Sequence, residues 1–263
     1  MITTETILLM KKKRERIVCL TAYDYPTAKI LDEVGIEIIL VGDSAANVVG
    51  GEKNTLPITM SDMLYHTRVV ARAVKNALVI ADMPFLSYQC SIDEAIKNAG
   101  SFLKVGAAGV KIEGAGPVLK TIERFIQLGI PVMGHLGLTP QSIHKFGGYK
   151  LRGKTKKEAE QILSDAKKLA SVGCFSIVLE KIPVALAKKT TRALTIPTIG
   201  IGAGPYCDGQ ILVLHDMLGI YEDFVPKFVK QYAQIGVEIR RAVHSYIREV
   251  KSGIYPDKNH SFE

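Results

Sequence analysis

A set of charged side chains with the chemistry of an active site lies at the ends of short apolar runs. The set comprises Asp43, Asp82, Lys111 with Glu113, His135 and Glu180. In a parallel α/β barrel the carboxyl ends of all strands meet on one face, so residues far apart in the sequence would converge there. The pattern therefore predicts an acid-rich site at one end of a barrel.

Three carboxylates of this set could bind a metal ion. Asp43 and Asp82 follow the second and third apolar runs, so we expect their carboxylates to share a small volume, with Glu113 as a third member. Two anions that close repel unless a cation or a shared proton compensates, and oxygen donors favour a hard ion such as magnesium over zinc. The alternative is that each aspartate only caps the helix after its strand.

Lys111 and Glu113 stand two residues apart in Val-Lys-Ile-Glu, so both point to the same side of strand four. Charges on a strand buried on both faces are costly unless they are paired or used. One interpretation is a structural Lys–Glu pair. The functional one is that Lys111 binds a substrate carboxylate or stabilises an enolate.

The last two members of the set end strands five and six. His135 opens a long loop, residues 136–154, of the length typical of lids and binding loops, although it could be only a loop anchor. Glu180 could neutralise Lys181, but its position relative to the other acids favours a general base. Residues 200–204, Gly-Ile-Gly-Ala-Gly, fit either a phosphate-binding loop or a tight turn.

The elements that position these residues repeat as strand, loop, helix and glycine. The predicted strands cover residues 16–22, 36–42, 78–81, 109–113, 131–135, 175–180, 197–201 and 211–215. Such alternation predicts a parallel sheet, and eight units favour a closed (β/α)8 TIM barrel over an open doubly wound sheet. We expect one barrel domain over residues 1–263, with an amino-terminal helix over 4–12 that could plug the bottom and a long helix over 225–251.

Composition limits the protein classes. With 263 residues, 47% of them hydrophobic and 23% charged, the chain can bury one large core. It has no apolar run long enough for a membrane span. Its amino-terminal charges follow a short apolar stretch instead of preceding it, which is the wrong order for a secretory signal peptide. The four cysteines form no CxxC pair, which favours a reduced, cytoplasmic protein. The net charge of +8 raises the possibility of nucleic-acid binding, but the lysines are scattered over predicted helix faces, so we expect none.

Ordered motifs cover nearly the whole chain. They are Val-Gly-Asp43-Ser44, Asn54-Thr-Leu-Pro57, Ala-Asp82-Met-Pro84-Phe, Val-Lys111-Ile-Glu113-Gly, Gly-His135-Leu-Gly-Leu-Thr-Pro-Gln, Phe-Gly-Gly-Tyr149, Gly-Ile-Gly-Ala-Gly204 and Gly253-Ile-Tyr-Pro256. In this order they resemble the ketopantoate hydroxymethyltransferase family of pantothenate biosynthesis. Two departures from the family pattern, Ala45-Ala46 and Glu52, concern loop shape and folate contacts rather than the metal-binding acids.

The resemblance implies a barrel of the phosphoenolpyruvate mutase/isocitrate lyase type that binds Mg²⁺ and uses 5,10-methylenetetrahydrofolate as co-substrate. It implies hydroxymethyl transfer to 3-methyl-2-oxobutanoate through a magnesium-stabilised enolate, forming ketopantoate. It also implies a homo-oligomer, commonly a decamer. The competing functions are another metal-dependent carbon–carbon lyase or transferase of this superfamily, acting on a different 2-oxo acid, and a non-catalytic nucleic-acid binder.

The resemblance also implies roles for individual residues. The metal site would comprise Asp43, Asp82 and Glu113, the last through water. The keto acid would contact Asp43, Ser44, Asp82, Lys111 and His135. Glu180 would be the catalytic proton acceptor.

Overall fold

The computed structural model describes residues 1–262 and contains a closed barrel of eight parallel strands. Each strand pairs with its sequence neighbours, and the last pairs with the first. The strands are β1 Ile17–Thr21, β2 Ile38–Val41, β3 Leu78–Asp82, β4 Gly109–Glu113, β5 Val132–Gly137, β6 Ser176–Glu180, β7 Thr198–Ile201 and β8 Gly209–Leu212. This topology confirms the closed barrel and excludes the open sheet.

Helices separate the strands as the periodicity predicts, except that β8 follows β7 directly. They are α1 Thr4–Lys13, α2 Tyr25–Glu33, α3 Ala45–Val48, α4 Met60–Ala73, α5 Ile92–Lys104, α6 Leu119–Gln127, α7 Ile143–Phe146, α8 Lys156–Ser171, α9 Val184–Ala193, α10 Leu214–Met217 and α11 Ile235–Lys251. Ser91 and Thr155 cap α5 and α8 by accepting from backbone amides three residues on. These bonds satisfy amides that have no partner within the helix.

Helix α1 closes the amino-terminal end of the barrel. Its Ile7 and Met10 belong to a buried cluster formed with side chains of the barrel strands. Lys11 donates from Nζ to Asp208, just before β8, at 2.8 Å, and to the carbonyl of Thr191 at 3.1 Å. The predicted plug is therefore present, and an ion pair with little solvent exposure holds it.

Strand register places the charged residues beside one another. Asp82 on β3 lies opposite Lys111 on β4, and Glu113 lies opposite His135 on β5. Glu180 on β6 lies opposite Gly137, whose φ is +95°. A Cβ at Gly137 would stand 2.2 Å from the Glu180 carbonyl oxygen, so only glycine fits there.

Two predicted boundaries were wrong. Strand eight is Gly209–Leu212 rather than 211–215, because pairing with β1 and β7 begins at Gly209 and the chain turns into α10 at Leu214. The carboxyl-terminal helix begins at Ile235, not at 225. The amides of Tyr232 and Ile235 donate to carbonyls of Met217 and Leu218 instead of to carbonyls four residues back.

The chain divides into two compact units, Met1–Val213 with the barrel and Leu214–Glu263 with α10 and α11. The single domain over 1–263 therefore stays a prediction. Among residues 1–262, no helix combines the length and apolar character that crossing a bilayer requires.

Candidate active site

The charged residues predicted from the sequence converge at the carboxyl end of the barrel. Those that are buried are Asp43, Asp82, Lys111, Glu113 and His135. Glu180 is the exception, because its side chain keeps 15% of its surface exposed. A ligand that enters the barrel mouth from solvent would therefore meet Glu180 while the other groups lie deeper.

The deepest ion pair joins Asp82 and Lys111. The Lys111 ammonium donates to both carboxylate oxygens of Asp82, at 2.6 and 2.7 Å. The backbone amide of Asp43 donates to Asp82 Oδ2 at 3.1 Å, so the two aspartates are adjacent as expected. Lys111 thus bonds with Asp82 rather than forming the Lys–Glu pair that was the structural alternative.

His135 lies between two glutamates. Its Nδ1 is 3.4 Å from Glu113 Oε1, and its Nε2 is 3.2 Å from Glu180 Oε2. Both are ion-pair distances, although neither contact meets hydrogen-bond geometry. Burial and the Lys111 charge lower the pKa of His135, but the two glutamates outweigh them and raise it to about 9. The raised pKa favours the protonated imidazole, which lies between Glu113 and Glu180.

The site holds more carboxyl groups than cationic side chains. Burial raises the pKa of Asp82 above its usual range, with Asp43 and Glu113 adding to the rise and Lys111 opposing it. Burial also raises the pKa of Glu113. Burial lowers the pKa of Lys111, but the surrounding carboxylates raise it further, so Lys111 stays charged. Four carboxylates thus face two cationic side chains, and a bound cation would relieve the remaining repulsion.

Lys181 does not neutralise Glu180 through an ion pair. Its backbone has a φ of +47°, which is strained for a residue other than glycine. Its Nζ donates to the carbonyl of Tyr149 at 2.5 Å, and its carbonyl accepts from Arg152. Lys181 therefore holds the loop after β5 against the end of β6, and His135 is the charged neighbour of Glu180.

The aspartates do not act as helix caps. Ser44, not Asp43, precedes α3, and its side chain makes no capping bond. The Ser44 hydroxyl lies 2.8 Å from the hydroxyl of buried Tyr23. The side chain of Asp82 contacts Lys111 and the amide of Asp43, as described above. Neither carboxylate therefore caps the helix that follows its strand.

Packing explains the glycines of residues 200–204. A Cβ at Gly200 would lie 3.0 Å from Cys207 Sγ, and one at Gly204 would lie 2.7 Å from a methyl of Val184. Gly204 also has a φ of +82°. These observations support the tight turn, while the phosphate-loop hypothesis stays a prediction.

Two polar residues of the site were missed by sequence reasoning. Gln141 is buried and hydrogen-bonds to Asp43, Glu113 and Tyr88. Tyr88 is also buried, and its hydroxyl accepts from the backbone amide of Glu113 at 3.2 Å. The only sequence signal was the Thr-Pro-Gln motif after His135, because neither residue stands at a strand end or in a charged pair.

The donor atoms present fit a hard divalent cation held by few protein ligands. Within residues 1–262, no three His, Cys, Asp or Glu side chains are grouped closely enough to hold a metal together. Magnesium commonly binds through one or two carboxylates and keeps several waters. Asp43 and Asp82 are adjacent acidic residues, joined by a hydrogen bond from the Asp43 backbone amide, while both oxygens of Glu113 already face Gln141 and His135.

The whole chain resembles one family of enzymes. The family model described as ketopantoate hydroxymethyltransferase matches residues 1–258. A 3-methyl-2-oxobutanoate hydroxymethyltransferase from Syntrophus aciditrophicus is 57% identical over 262 residues, which is 99% of this chain and 96% of that protein. The enzyme of the same name from Caldicellulosiruptor bescii is 55% identical over 261 residues, 99% of each chain.

Solved structures extend the likeness to the fold. A 2,3-dimethylmalate lyase, described as a phosphoenolpyruvate mutase/isocitrate lyase superfamily member, has a TM-score of 0.63 with 16% identity, covering 99% of this chain and 92% of its own. A phosphonopyruvate hydrolase in complex with oxalate and Mg²⁺ has a TM-score of 0.63 with 11% identity, covering 99% and 93%. These two proteins thus share the barrel fold of this chain.

Proposed function

Because the chain belongs to the ketopantoate hydroxymethyltransferase family, we propose that it uses 5,10-methylenetetrahydrofolate as one-carbon donor and Mg²⁺ as cofactor. Its enzymatic activity is that of its relatives, hydroxymethyl transfer to 3-methyl-2-oxobutanoate, which forms ketopantoate for pantothenate biosynthesis. The carrying observation is the buried cluster of Asp43, Asp82 and Lys111, where the Lys111 ammonium donates to the Asp82 carboxylate at 2.6 Å and the Asp43 backbone amide donates to it at 3.1 Å.

The cluster suits a small 2-oxo acid. In this proposal Lys111 supplies positive charge to the oxygens of the substrate, and His135 does so from the neighbouring strand. Ser44 offers a hydroxyl donor beside Asp43. Asp43 and Asp82 would hold the cation, and Glu113 would reach it through water. A divalent ion there would withdraw electron density from a keto oxygen and make the C3 hydrogen more acidic.

Glu180 is the proposed general base. Its carboxylate reaches the barrel mouth, and the contact with His135 keeps it beside a cationic imidazole. Glu180 would remove the C3 proton of the keto acid, and C3 would then bond to the methylene carbon of the folate. The two bonds from that carbon to folate nitrogens would break, water would supply the hydroxyl oxygen, and tetrahydrofolate would leave. A positioned base of this kind contributes roughly 100- to 10,000-fold to rate.

The remaining proposals concern location and assembly. All four cysteines are free and three of them are buried, which supports the proposed cytoplasmic location. We also propose a homo-oligomer, probed in the Discussion. Nucleic acid is not among the proposed partners.

The test is an assay of ketopantoate formation with 5,10-methylenetetrahydrofolate and a panel of 2-oxo acids, before and after treatment with a chelator. We expect activity with 3-methyl-2-oxobutanoate only when folate is present, loss of activity on chelation and recovery with Mg²⁺. Asp82→Asn removes a carboxylate charge but keeps its shape, so we expect weaker binding of both metal and keto acid by a folded protein. Asp223→Asn on the exposed surface is the matched control.

Two outcomes would contradict the proposal. Full turnover in excess chelator, with no metal detected by elemental analysis, would remove the metal from the reaction. Folate-independent cleavage of a different 2-oxo acid would instead identify a carbon–carbon lyase. Circular dichroism of Asp82→Asn excludes unfolding as the cause of any loss.

A further inference from the structure

Gln141 connects the ends of four consecutive strands through its hydrogen bonds. It lies in the loop after β5, in the short 3₁₀ turn Pro140–Ser142, and is buried. Its side-chain amide donates to Asp43 Oδ2 at 3.0 Å and to the Met83 carbonyl at 2.9 Å. Its backbone amide donates to Glu113 Oε2 at 3.0 Å. One residue thus contacts the chain just after β2 and β3 and the last residue of β4.

The neighbours determine which way the Gln141 amide points. The hydroxyl oxygen of Tyr88 lies 2.9 Å from Gln141 Oε1 and already accepts a hydrogen bond from the backbone amide of Glu113. The hydroxyl proton is therefore available for Oε1. On the other side, Asp43 Oδ2 and the Met83 carbonyl can only accept, so Nε2 must face them. Reversing the amide would break these three hydrogen bonds and the one that Oε1 accepts from Gln89 Nε2 at 3.4 Å, leaving buried polar groups unpaired.

The contact with Asp43 has a consequence for a bound cation. Gln141 Nε2 donates to Oδ2 of Asp43, and Oδ1 takes no part in that hydrogen bond. An amide hydrogen bond of this kind fixes the rotation of the carboxylate and leaves one oxygen for a ligand. The Gln141 backbone bond likewise fixes one oxygen of Glu113. Removing a hydrogen bond that orients a metal-binding side chain typically lowers metal affinity roughly 10- to 100-fold.

We propose that Gln141, oriented by Tyr88, is a positioning residue that presents Asp43 and Glu113 to a divalent cation. The inference rests on the proposed function, since it needs a cation at Asp43 and Asp82. It assigns a role to the Thr-Pro-Gln motif of the loop after β5. It also explains why a glutamine is buried among carboxylates, since it can donate to two acceptors without adding charge.

The test measures Mn²⁺ affinity of the full-length protein by electron paramagnetic resonance, because Mn²⁺ shares the oxygen-ligand preference of Mg²⁺. Gln141→Met keeps the length of the side chain and removes its donors. We expect its Mn²⁺ dissociation constant to rise roughly 10- to 100-fold. Tyr88→Phe removes the hydroxyl that orients the amide, and we expect a smaller rise in the same direction.

The control is Gln161→Met on α8. Gln161 also donates to an aspartate, Asp165, at 2.9 Å, but on the exposed surface, so we expect unchanged Mn²⁺ affinity. A kinetic readout accompanies the binding data. For Gln141→Met, the Mg²⁺ concentration at half-maximal rate should rise by the same factor, and the rate should recover at saturating Mg²⁺.

Wild-type Mn²⁺ affinity in both folded variants would overturn the inference, even with lower unfolding temperatures, because that combination indicates a purely structural role. If Gln141→Met does not fold, Tyr88→Phe decides alone. A wild-type protein that binds no Mn²⁺ would overturn the proposed metal site itself and the inference with it. The two failures are thus distinguishable.

Discussion

At the scale of single residues, Glu180 differs from the other carboxylates of the site in its surroundings. It is partly exposed, and its Oε2 lies 3.2 Å from Nε2 of His135. Lys181, its neighbour in sequence, bonds instead to the Tyr149 carbonyl. A carboxylate that faces both a cation and the barrel mouth can accept a proton from a ligand and pass it to solvent.

Glu180→Gln should abolish proton removal without abolishing binding. In deuterium oxide with Mg²⁺ but no folate, we expect the wild type to exchange the C3 hydrogen of 3-methyl-2-oxobutanoate. We expect the variant to exchange it roughly 100- to 10,000-fold more slowly, because the amide keeps the shape but cannot act as base. Proton magnetic resonance follows the exchange, and calorimetry checks that the keto acid still binds.

Glu123→Gln on α6 is the matched control, since Glu123 is exposed and lies outside the proposed site. It should exchange at the wild-type rate. Wild-type exchange in Glu180→Gln would show that another group takes the proton, and the assignment of Glu180 would be abandoned.

At the scale of elements, Asp32 joins α2 to the chain between α4 and β3. It is buried, and its carboxylate accepts from the backbone amides of Lys75, Asn76 and Ala77. Burial alone would raise the pKa of Asp32, but these hydrogen bonds outweigh it, so the pKa lies below its usual value of 3.8. The charged carboxylate therefore stabilises the folded barrel next to β3, which carries Asp82.

Asp32→Asn should lower the free energy of unfolding at neutral pH by roughly 1–3 kcal/mol, because an amide can accept at only one of its two positions. The folded pKa is depressed, so the stabilisation is present above the unfolded value near 4 and is lost as pH falls through the folded pKa. Urea unfolding from pH 7 down to pH 3 should therefore show the difference from wild type shrinking below about pH 4.

Asp223→Asn serves again as control, since Asp223 is exposed and outside the barrel unit. Its stability should follow that of the wild type throughout. A difference for Asp32→Asn that stayed constant down to pH 3 would mean that the charge of Asp32 is not what stabilises the contact.

At the scale of the whole molecule, α11 exposes an apolar stripe. The exposed residues are Ile239, Val243, Tyr246, Ile247 and Val250. Their spacing of three and four places them on one face of the helix. Of the residues of α11, only Gly236 is buried. Exposing so large an apolar face to water is unfavourable, and this supports the oligomer that the family resemblance implies.

We expect sedimentation equilibrium or light scattering at micromolar concentration to report an assembly of many subunits. Ten is the number that the family resemblance implies. Val243→Lys, which adds a charge to the stripe, should shift the protein towards smaller species. Ser245→Lys adds the same charge beside the stripe and should not. A clean wild-type monomer would contradict the proposed oligomer and leave the active-site assignment untouched.

Much of the molecule could be read from the sequence because the relevant signals are local. Alternating strand and helix patterns predicted the barrel, and short apolar runs ending in charges predicted the site. The strand ends at Glu113 and Glu180 were correct to the residue, and the third strand ends at Asp82, one residue beyond the predicted end. The misplaced start of α11 and the limits of β8 arose where hydrogen bonds with distant residues, rather than local pattern, decided the backbone.

The sequence by itself determined which residues reach the carboxyl end of the barrel, because residue type and strand periodicity are encoded along the chain. The tertiary structure decided which of them touch. Lys111 bonds to Asp82 across two strands, and His135 stands between Glu113 and Glu180. Gln141 enters the site through a loop conformation that no periodicity encodes. Such contacts depend on strand register and loop folding, which are set by packing over the whole barrel.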